Sequence, residues 1–486
     1  MKLLTPSSSN HTVVLPDGTS AIYHLRSLRE TSSMASANDN DGSDDHAERQ
    51  QQQHCHNQDD IANWTKFCAS VFSYKPDPPP PSYFARHFYN DPRRDASLVR
   101  VLVHRLHHHD GDDENEDCDG EIASSVRIFR RTLSIPGHNN NGELTMRYMD
   151  AGGIGEVCTS IDHRRRGLSS ILLEDAIQIM KSLSSSSSSP YSSSTKAKEQ
   201  IMSCSLLHAS PDFRPVYSKV GGYVSVKSEW SVVPIRWKSL MMKTKTITTM
   251  LSTEEGGGDC TYIVRHAQFP NDAHQLQQLH MEYSEKRLIT ISRSEEYWKE
   301  YVSAELGDTL WVLSMKQSKS NTAEAHPAGT TATTAESPED DGGENTIVAW
   351  MSLRKRGDRF QLREFGADNK STDCKPITTT TLAMKYLLPV ALDQAGVSSS
   401  PANGDIVSLV LPSFVLSEMK QDMTTRIDID DGIDTDWEFL DFDSATDEND
   451  DGWMYLQIDH SQPSVVDLTT CDTDPIPHLI WPTDSF

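Results

Sequence analysis

Residues 152–223 constrain the fold of this chain more tightly than any other stretch. They read GGIGEVCTSI, then DHRRRGLSS, ILLEDAIQIM, IMSCSLLHA and PDFRPVYSKVGGY. The apolar, β-branched first segment predicts a strand. It ends in a His-Arg cluster that opens directly into a segment of helical periodicity, and a second strand and helix follow. The turn has the form R-x-x-G-x-(small), with Arg164 first, Gly167 fourth and Ser169 sixth. A turn that opens a helix leaves backbone N–H groups without intrahelical acceptors, and the helix dipole adds partial positive charge there. The expected product is an anion cradle suited to a pyrophosphate, with Gly167 letting the backbone approach without a Cβ in the way. The backbone N–H groups of Arg165–Ser170 are the expected phosphate ligands.

These residues resemble the acetyl-CoA motif Q/R-x-x-G-x-G/A of the GNAT superfamily of N-acetyltransferases. Here the motif is Arg164-Arg165-Arg166-Gly167-Leu168-Ser169, with serine at the sixth position instead of glycine or alanine. The family's downstream Y-x-K-x-G-F is matched by Tyr217-Ser218-Lys219-Val220-Gly221-Gly222-Tyr223, with one extra glycine. The resemblance implies a mixed α/β fold with a mostly antiparallel sheet around a β-α-β-α core, and acetyl-CoA as acyl donor. The candidate cofactor-binding set is Val157, Cys158, Thr159, Arg164, Arg165, Arg166, Gly167, Leu168, Ser169 and Ser170.

The order of elements is expected to run twice. A catalytic domain is expected over 13–235, after a short tail 1–12, with polar insertions at 31–60, 107–121 and the serine-rich 184–200. A linker 236–260 leads to a second, degenerate copy over 261–415, interrupted at 317–345. In that copy ITTTT stands where an arginine-glycine turn would precede the helix 381–394, so no phosphate cradle is expected. Residues 416–486 form an acidic segment with the apolar end HLIWPTDSF. The tandem arrangement resembles the enhanced intracellular survival acetyltransferases of bacteria, and the first half is similar to fungal lysine acetyltransferases.

Amide formation from a thioester needs a neutral amine and a stabilised leaving thiolate. The resemblance assigns thiolate protonation to Tyr217, since a phenol of pKa near ~10 is protonated at neutral pH. Strand alternation puts Ile154, Glu156 and Cys158 on one face, where Glu156 could take the ammonium proton. The resemblance also offers the chain's own carboxylate at Phe486, and water is a third base. The acceptor would be a primary amine: free lysine, a protein lysine or another small amine. The same residues also allow a module that binds acyl-CoA without turnover, or an interaction protein built on the acidic insertions.

Composition trims the remaining classes. With 45 Lys plus Arg against 71 Asp plus Glu, the formal charge of −26 argues against nucleic acid or an anionic membrane as main partner. No apolar run approaches the roughly 18 residues of a spanning helix. The N-terminus lacks a secretory apolar core. The eight cysteines are scattered without C-x-x-C, so no zinc site and no disulfide framework are expected, and the expected setting is cytoplasmic, with the nucleus left open, and no metal.

Overall fold

The computed structural model describes residues 8–15, 18–28, 60–75, 77–105, 120–138, 144–185, 202–236, 260–284, 289–317, 345–368, 379–397, 406–427, 440–450 and 452–460. The insertions expected at 31–60, 107–121, 184–200 and 317–345 fall almost wholly outside these residues, as do the linker and the apolar end with Phe486.

Strands β1 (Ser9–Val14) and β2 (Ser20–Ser27) pair antiparallel. Helix α1 (60–71) follows, continued by one tight turn at Phe72–Tyr74. Helix α2 (Pro81–Tyr89) starts on a proline, whose missing N–H costs nothing at that position. Then come β3 (Val99–His104), the long antiparallel pair β4 (Glu121–His138) and β5 (Leu144–Thr159), helix α3 (Leu168–Ser185) and β6 (Met202–His208). A single helical turn, Arg214–Val216, runs into a π-turn at Tyr217–Gly221, and β7 (Val224–Ser225) and β8 (Ser228–Arg236) complete this half of the sequence.

The second half repeats the pattern. It has β9 (Cys260–His266), α4 (Ala273–Ser284), β10 (Thr290–Ser292), a π-turn at Tyr297–Val302, and strands β11 (Leu310–Gln317), β12 (Thr346–Arg356) and β13 (Arg359–Ala367). Helix α5 (Thr379–Leu392), β14 (Ile406–Pro412), α6 (Ser413–Ile427), β15 (Thr446–Asp450) and β16 (Trp453–Gln457) close it.

Two sheets result. The first is nine-stranded, in the order β1-β2-β3-β4-β5-β6-β16-β7, with β10 added to the far end of β4; the second is seven-stranded, β15-β8-β14-β13-β12-β11-β9. Both are mixed and mostly antiparallel, the fold class expected. In each, one parallel pair flanks a crossover helix: β5 with β6 around α3, and β13 with β14 around α5. The sequential boundary at 235 is not the spatial one. Strand β8, last of the first half, lies in the second sheet between β14 and β15, whereas β16 lies in the first sheet between β6 and β7.

The first sheet is covered on both faces. Leu168, Leu172, Leu173, Ala176 and Met180 of α3 pack on one face with Ile128 and Ile154. On the other face α1 and α2 set Trp64, Cys68, Phe84 and Phe88 against Val99, Val101 and Cys158. The approach of α3 depends on Gly152: a Cβ there would lie 2.2 Å from the Met180 sulfur. Arg100, fully buried on β3, donates from Nε to Asp175 Oδ2 at 2.6 Å and fixes the helix laterally. In the second half Arg293 and Glu364 form a fully buried two-pronged pair at 3.1 and 2.9 Å.

Candidate active site

The site is built where β5 and β6 separate. Their parallel pairing covers only Asp150–Gly153 against Met202–Leu206, so from Ile154 onward β5 has lost its neighbour on that side. On its other side β5 stays paired with β4, but with a bulge: Glu156 and Val157 together face Val126, between the pairs Ser125–Cys158 and Arg127–Gly155. Glu156 takes the extra position, with φ of 53°. A bulge shifts the face of every later side chain. The alternation expected for Ile154, Glu156 and Cys158 is therefore corrected. Ile154 packs under α3 and Cys158 under α1 and α2, while Val157 packs on the α3 side. Beyond the bulge Ser124 Oγ donates to the Cys158 carbonyl at 2.9 Å and meets Thr159 Oγ1 at 2.8 Å, fixing the end of the strand.

The turn after β5 is held from below. Ser160 N–H donates to the Ala123 carbonyl at 2.9 Å, and a short 3-10 turn at Ile161–His163 brings His163 inward. The His163 ring meets the Tyr23 hydroxyl at 3.0 Å, and burial, with His104 and Arg166 nearby, lowers its pKa, so the ring is held neutral. Arg166 donates to the Tyr23 hydroxyl at 2.6 Å and to the Asp162 carbonyl at 2.7 Å. Arg164 donates to the Thr159 carbonyl at 3.3 Å. Arg165 and Gly167 both adopt left-handed backbone, φ 63° and 75°. Ser170 N–H is bonded back to the Gly167 carbonyl at 3.0 Å. The N–H groups of Arg165–Ser169 have no backbone acceptor among the described residues. Nothing lies within 4 Å of the position a Gly167 Cβ would take. An open row of N–H groups at the start of α3, beside exposed Arg164 and Arg165, fits the pyrophosphate of an acyl-CoA.

Across the gap the π-turn presents Tyr217. Both glycines of YSKVGGY have work here. A Cβ on Gly221 would fall 2.6 Å from the Tyr223 ring, and Gly222 closes the turn with φ of 73°. The Tyr217 carbonyl accepts from Tyr223 N–H at 3.4 Å, and Ser218 Oγ donates to the Tyr223 carbonyl at 3.0 Å. Tyr223 in turn bonds Ser205 Oγ at 2.7 Å, and Ser205 donates to the Gly152 carbonyl at 2.7 Å. The turn is thus tied to the point where the two strands part. Burial, then the Cys158 sulfur, pushes the Tyr217 hydroxyl up to about 12, so it stays protonated at neutral pH.

Glu156 points away from α3, into the space beneath α2. Its side chain is 7% exposed, and neither carboxylate oxygen has a hydrogen-bond partner. Arg127 Nη1 stands 3.7 Å from Oε1, too far for a hydrogen bond. Burial raises the Glu156 pKa, and Arg127 and His87 oppose that rise. The neighbours that complete this part of the site, Tyr83, His87 and Asp91, lie on or just after α2 and were not among the candidates read from sequence. Pro81 after a proline run, followed by SYFARHFY, was the available signal for that helix. Among the described residues no group of three or more His, Cys, Asp or Glu is placed to hold a metal ion.

Residues 56–197 match the family model described as acetyltransferase (GNAT) domain. The chain carries a GNAT acetyltransferase domain. It is an acyltransferase, and the GNAT domain is a binder of acyl-CoA. Among solved structures it is similar to a conserved protein of unknown function from Enterococcus faecalis V583, named a probable N-acyltransferase, with 10% identity, 83% of this chain and 71% of that one covered, and a TM-score of 0.43. It is similar to Saccharomyces cerevisiae N-myristoyltransferase with bound myristoyl-CoA, with 10% identity, 86% and 84% coverage and a TM-score of 0.40. It is also similar to Eis1 from Mycobacterium abscessus, with 11% identity, 90% and 74% coverage and a TM-score of 0.39. No curated protein matches the chain in sequence. No helix among the described residues is long and apolar enough to cross a membrane.

Proposed function

We propose that the GNAT domain moves an acetyl group from acetyl-CoA to a primary amine by direct attack within a ternary complex. The acceptor class is free lysine, a protein lysine or another small amine. The observation that carries this reading is Glu156: a buried carboxylate without a hydrogen-bond partner, on the strand whose neighbour has just left. A buried polar group without a partner is costly, typically about 1–3 kcal/mol, and such groups concentrate where chemistry needs them.

The residues divide the work. The Arg165–Ser169 N–H groups bind the diphosphate, remote from the reacting carbonyl, with Arg164 and Arg165 adding charge and Arg166 bracing the turn through Tyr23. Val157, Cys158 and Thr159 lie along the unpaired edge where the thioester arm would run. Glu156 accepts the proton that the ammonium must lose. As the amine nitrogen bonds to the carbonyl carbon and the carbon–sulfur bond breaks, Tyr217 donates its proton to the sulfur, and the second proton, which the nitrogen sheds on becoming an amide, returns through water to the phenolate. Positioning of this kind supplies several kcal/mol of barrier lowering. The second half acts as a degenerate copy without a cradle. The buried free thiols Cys68, Cys158 and Cys204 suit a reducing, cytoplasmic setting.

The test is release of free thiol from acetyl-CoA with free lysine, a lysine-containing peptide and spermidine as acceptors. Turnover with at least one, sharply lowered in Glu156→Gln, is expected. Thiol release with none of them, despite tight acetyl-CoA binding, would overturn the reading in favour of a binding module. The Phe486 carboxylate is the competing base. Adding two glycines after Phe486 moves it by up to ~7 Å. Unchanged turnover in that variant is expected if Glu156 is the base; lost turnover at unchanged thermal stability would transfer the role to the terminus.

A further inference from the structure

Behind Glu156 lies an ordered row of charges that the reaction itself does not touch. The charged and titratable groups facing the carboxylate are Arg127 of β4, Tyr83 and His87 of α2, Asp91 just after α2, and Cys68 of α1. Arg127 is 2% exposed and lies against the Phe129 ring at 4.0 Å and the Phe88 ring at 5.0 Å. Its Nη2 donates to Asp91 Oδ2 at 3.3 Å and to the His87 carbonyl at 3.4 Å. Its Nη1 has no hydrogen-bond partner and faces Glu156. Asp91, 1% exposed, also accepts from Arg131 Nη1 at 2.9 Å. Arg131 lies over Tyr297 and Tyr301 of the second half, at 5.3 and 5.7 Å.

Two anions and two cations thus alternate, Glu156, Arg127, Asp91, Arg131, and the second half closes the row. A buried arginine that spends one nitrogen on an anchor and leaves the other facing a carboxylate beyond bonding distance is not a closed structural ion pair. It supplies field and leaves the oxygens free for an incoming proton. We propose that Arg127, anchored by Asp91, is a positioning residue that holds the Glu156 carboxylate in its ionised, proton-accepting state. The inference rests on the reading of Glu156 as the base.

The test is the acidic limb of the kcat/KM–pH profile, measured with acetyl-CoA and the fastest amine of the three named above. Arg127→Gln removes the cation, so the limb should move up by roughly one pH unit or more, with the KM for acetyl-CoA within about twofold of wild type. Arg127→Lys should return the limb toward its original position. Asp91→Asn removes the anion that offsets Arg127, so the limb should move down. Opposite shifts are not the signature of lost packing. An unmoved limb in Arg127→Gln, or shifts of the same sign in Arg127→Gln and Asp91→Asn, would overturn the proposal. Should Arg127→Gln fail to fold, Arg127→Lys and Asp91→Asn carry the test: the limb should stay near wild type in the first and fall in the second.

Two controls separate this proposal from its premise. If Glu156→Gln keeps the acidic limb, the base assignment itself fails. If Glu156→Gln loses the limb and Arg127→Gln leaves it in place, only the role of Arg127 fails. A readout without turnover is thermal stability across pH, wild type against Glu156→Gln, repeated in the Arg127→Gln background. The pH at which each pair of curves diverges reports Glu156 ionisation, and it should be higher without Arg127.

Discussion

Glu156 is held at a cost to the fold. A non-glycine residue in left-handed backbone, with both carboxylate oxygens buried and without a hydrogen bond, is destabilising on two counts. Its folded-state pKa is raised from 4.5, burial being the main cause. The sign follows from linkage: stability from such a group is full below the unfolded value and is lost as pH rises through the folded one. Glu156→Gln, isosteric and neutral, should therefore match wild type in Tm near pH 5 and exceed it near pH 8, while turnover falls. A Tm gap that vanishes or reverses at pH 8, measured by differential scanning fluorimetry, would mean the anion is stabilised in the fold. Tyr217 carries a separate expectation. Tyr217→Phe keeps the ring that packs edge-on to Tyr223 at 6.3 Å, so the fold should survive. Loss of the acid should lower kcat by roughly 10²-fold or more, with acetyl-CoA affinity little changed. An unchanged kcat, with chemistry shown to be rate-limiting, would remove Tyr217 from the mechanism.

At the scale of elements, the turn and the helix it opens act as one unit. Gly167 sits in left-handed backbone with open space around it, so a side chain there meets no clash within the protein. Gly167→Asp should cost about 1–2 kcal/mol in backbone strain and place an anion against the diphosphate. Acetyl-CoA should bind at least tenfold more weakly by calorimetry, with only a small fall in Tm; equal affinity would move the cofactor elsewhere. This unit was legible in sequence because its demands are local: a left-handed glycine, N–H groups at a helix start, a strand on either side. The segment after β6, expected as a helix, is instead one helical turn that runs into the π-turn, closed by the extra glycine Gly222. The face of Glu156 was not legible, because the bulge exists only through pairing with β4, and alternation holds only between bulges. Helix α2, with Tyr83, His87 and Asp91, was not marked by any local motif of the site. Those residues gain their meaning from Glu305 and Tyr301, more than two hundred positions away, in contacts no local pattern encodes.

The whole molecule is interlocked by exchanged strands, which sequence order conceals because β-partners are chosen at long range. Strand β8 adds Trp230, Val233 and Ile235 to the core of the second sheet. Strand β16 adds Met454 to the core under α3, and Trp453 and Tyr455 to the cluster beside β6. Strand β10 extends β4, and Glu305 accepts from Arg86, His87 and Arg363 at the junction, its pKa held down to about 2 by those partners against the effect of burial. Neither half then has a complete sheet of its own. A chain ending at residue 439 keeps every cradle residue and Tyr217, yet it strips β6 of its partner on one side and empties the sites of Trp453 and Tyr455. Loss of a large buried aromatic costs about 3–5 kcal/mol, and whole domains are stable by only about 5–15 kcal/mol. The truncated chain should therefore fail to bind acetyl-CoA and should lose cooperative unfolding. The discriminating measurement is to supply residues 440–486 as a separate peptide: recovery of acetyl-CoA binding in trans, saturable in peptide, would show that β16 acts by completing the first sheet. A truncated chain that binds acetyl-CoA like the full-length protein would show instead that the first half is complete without its exchanged strand.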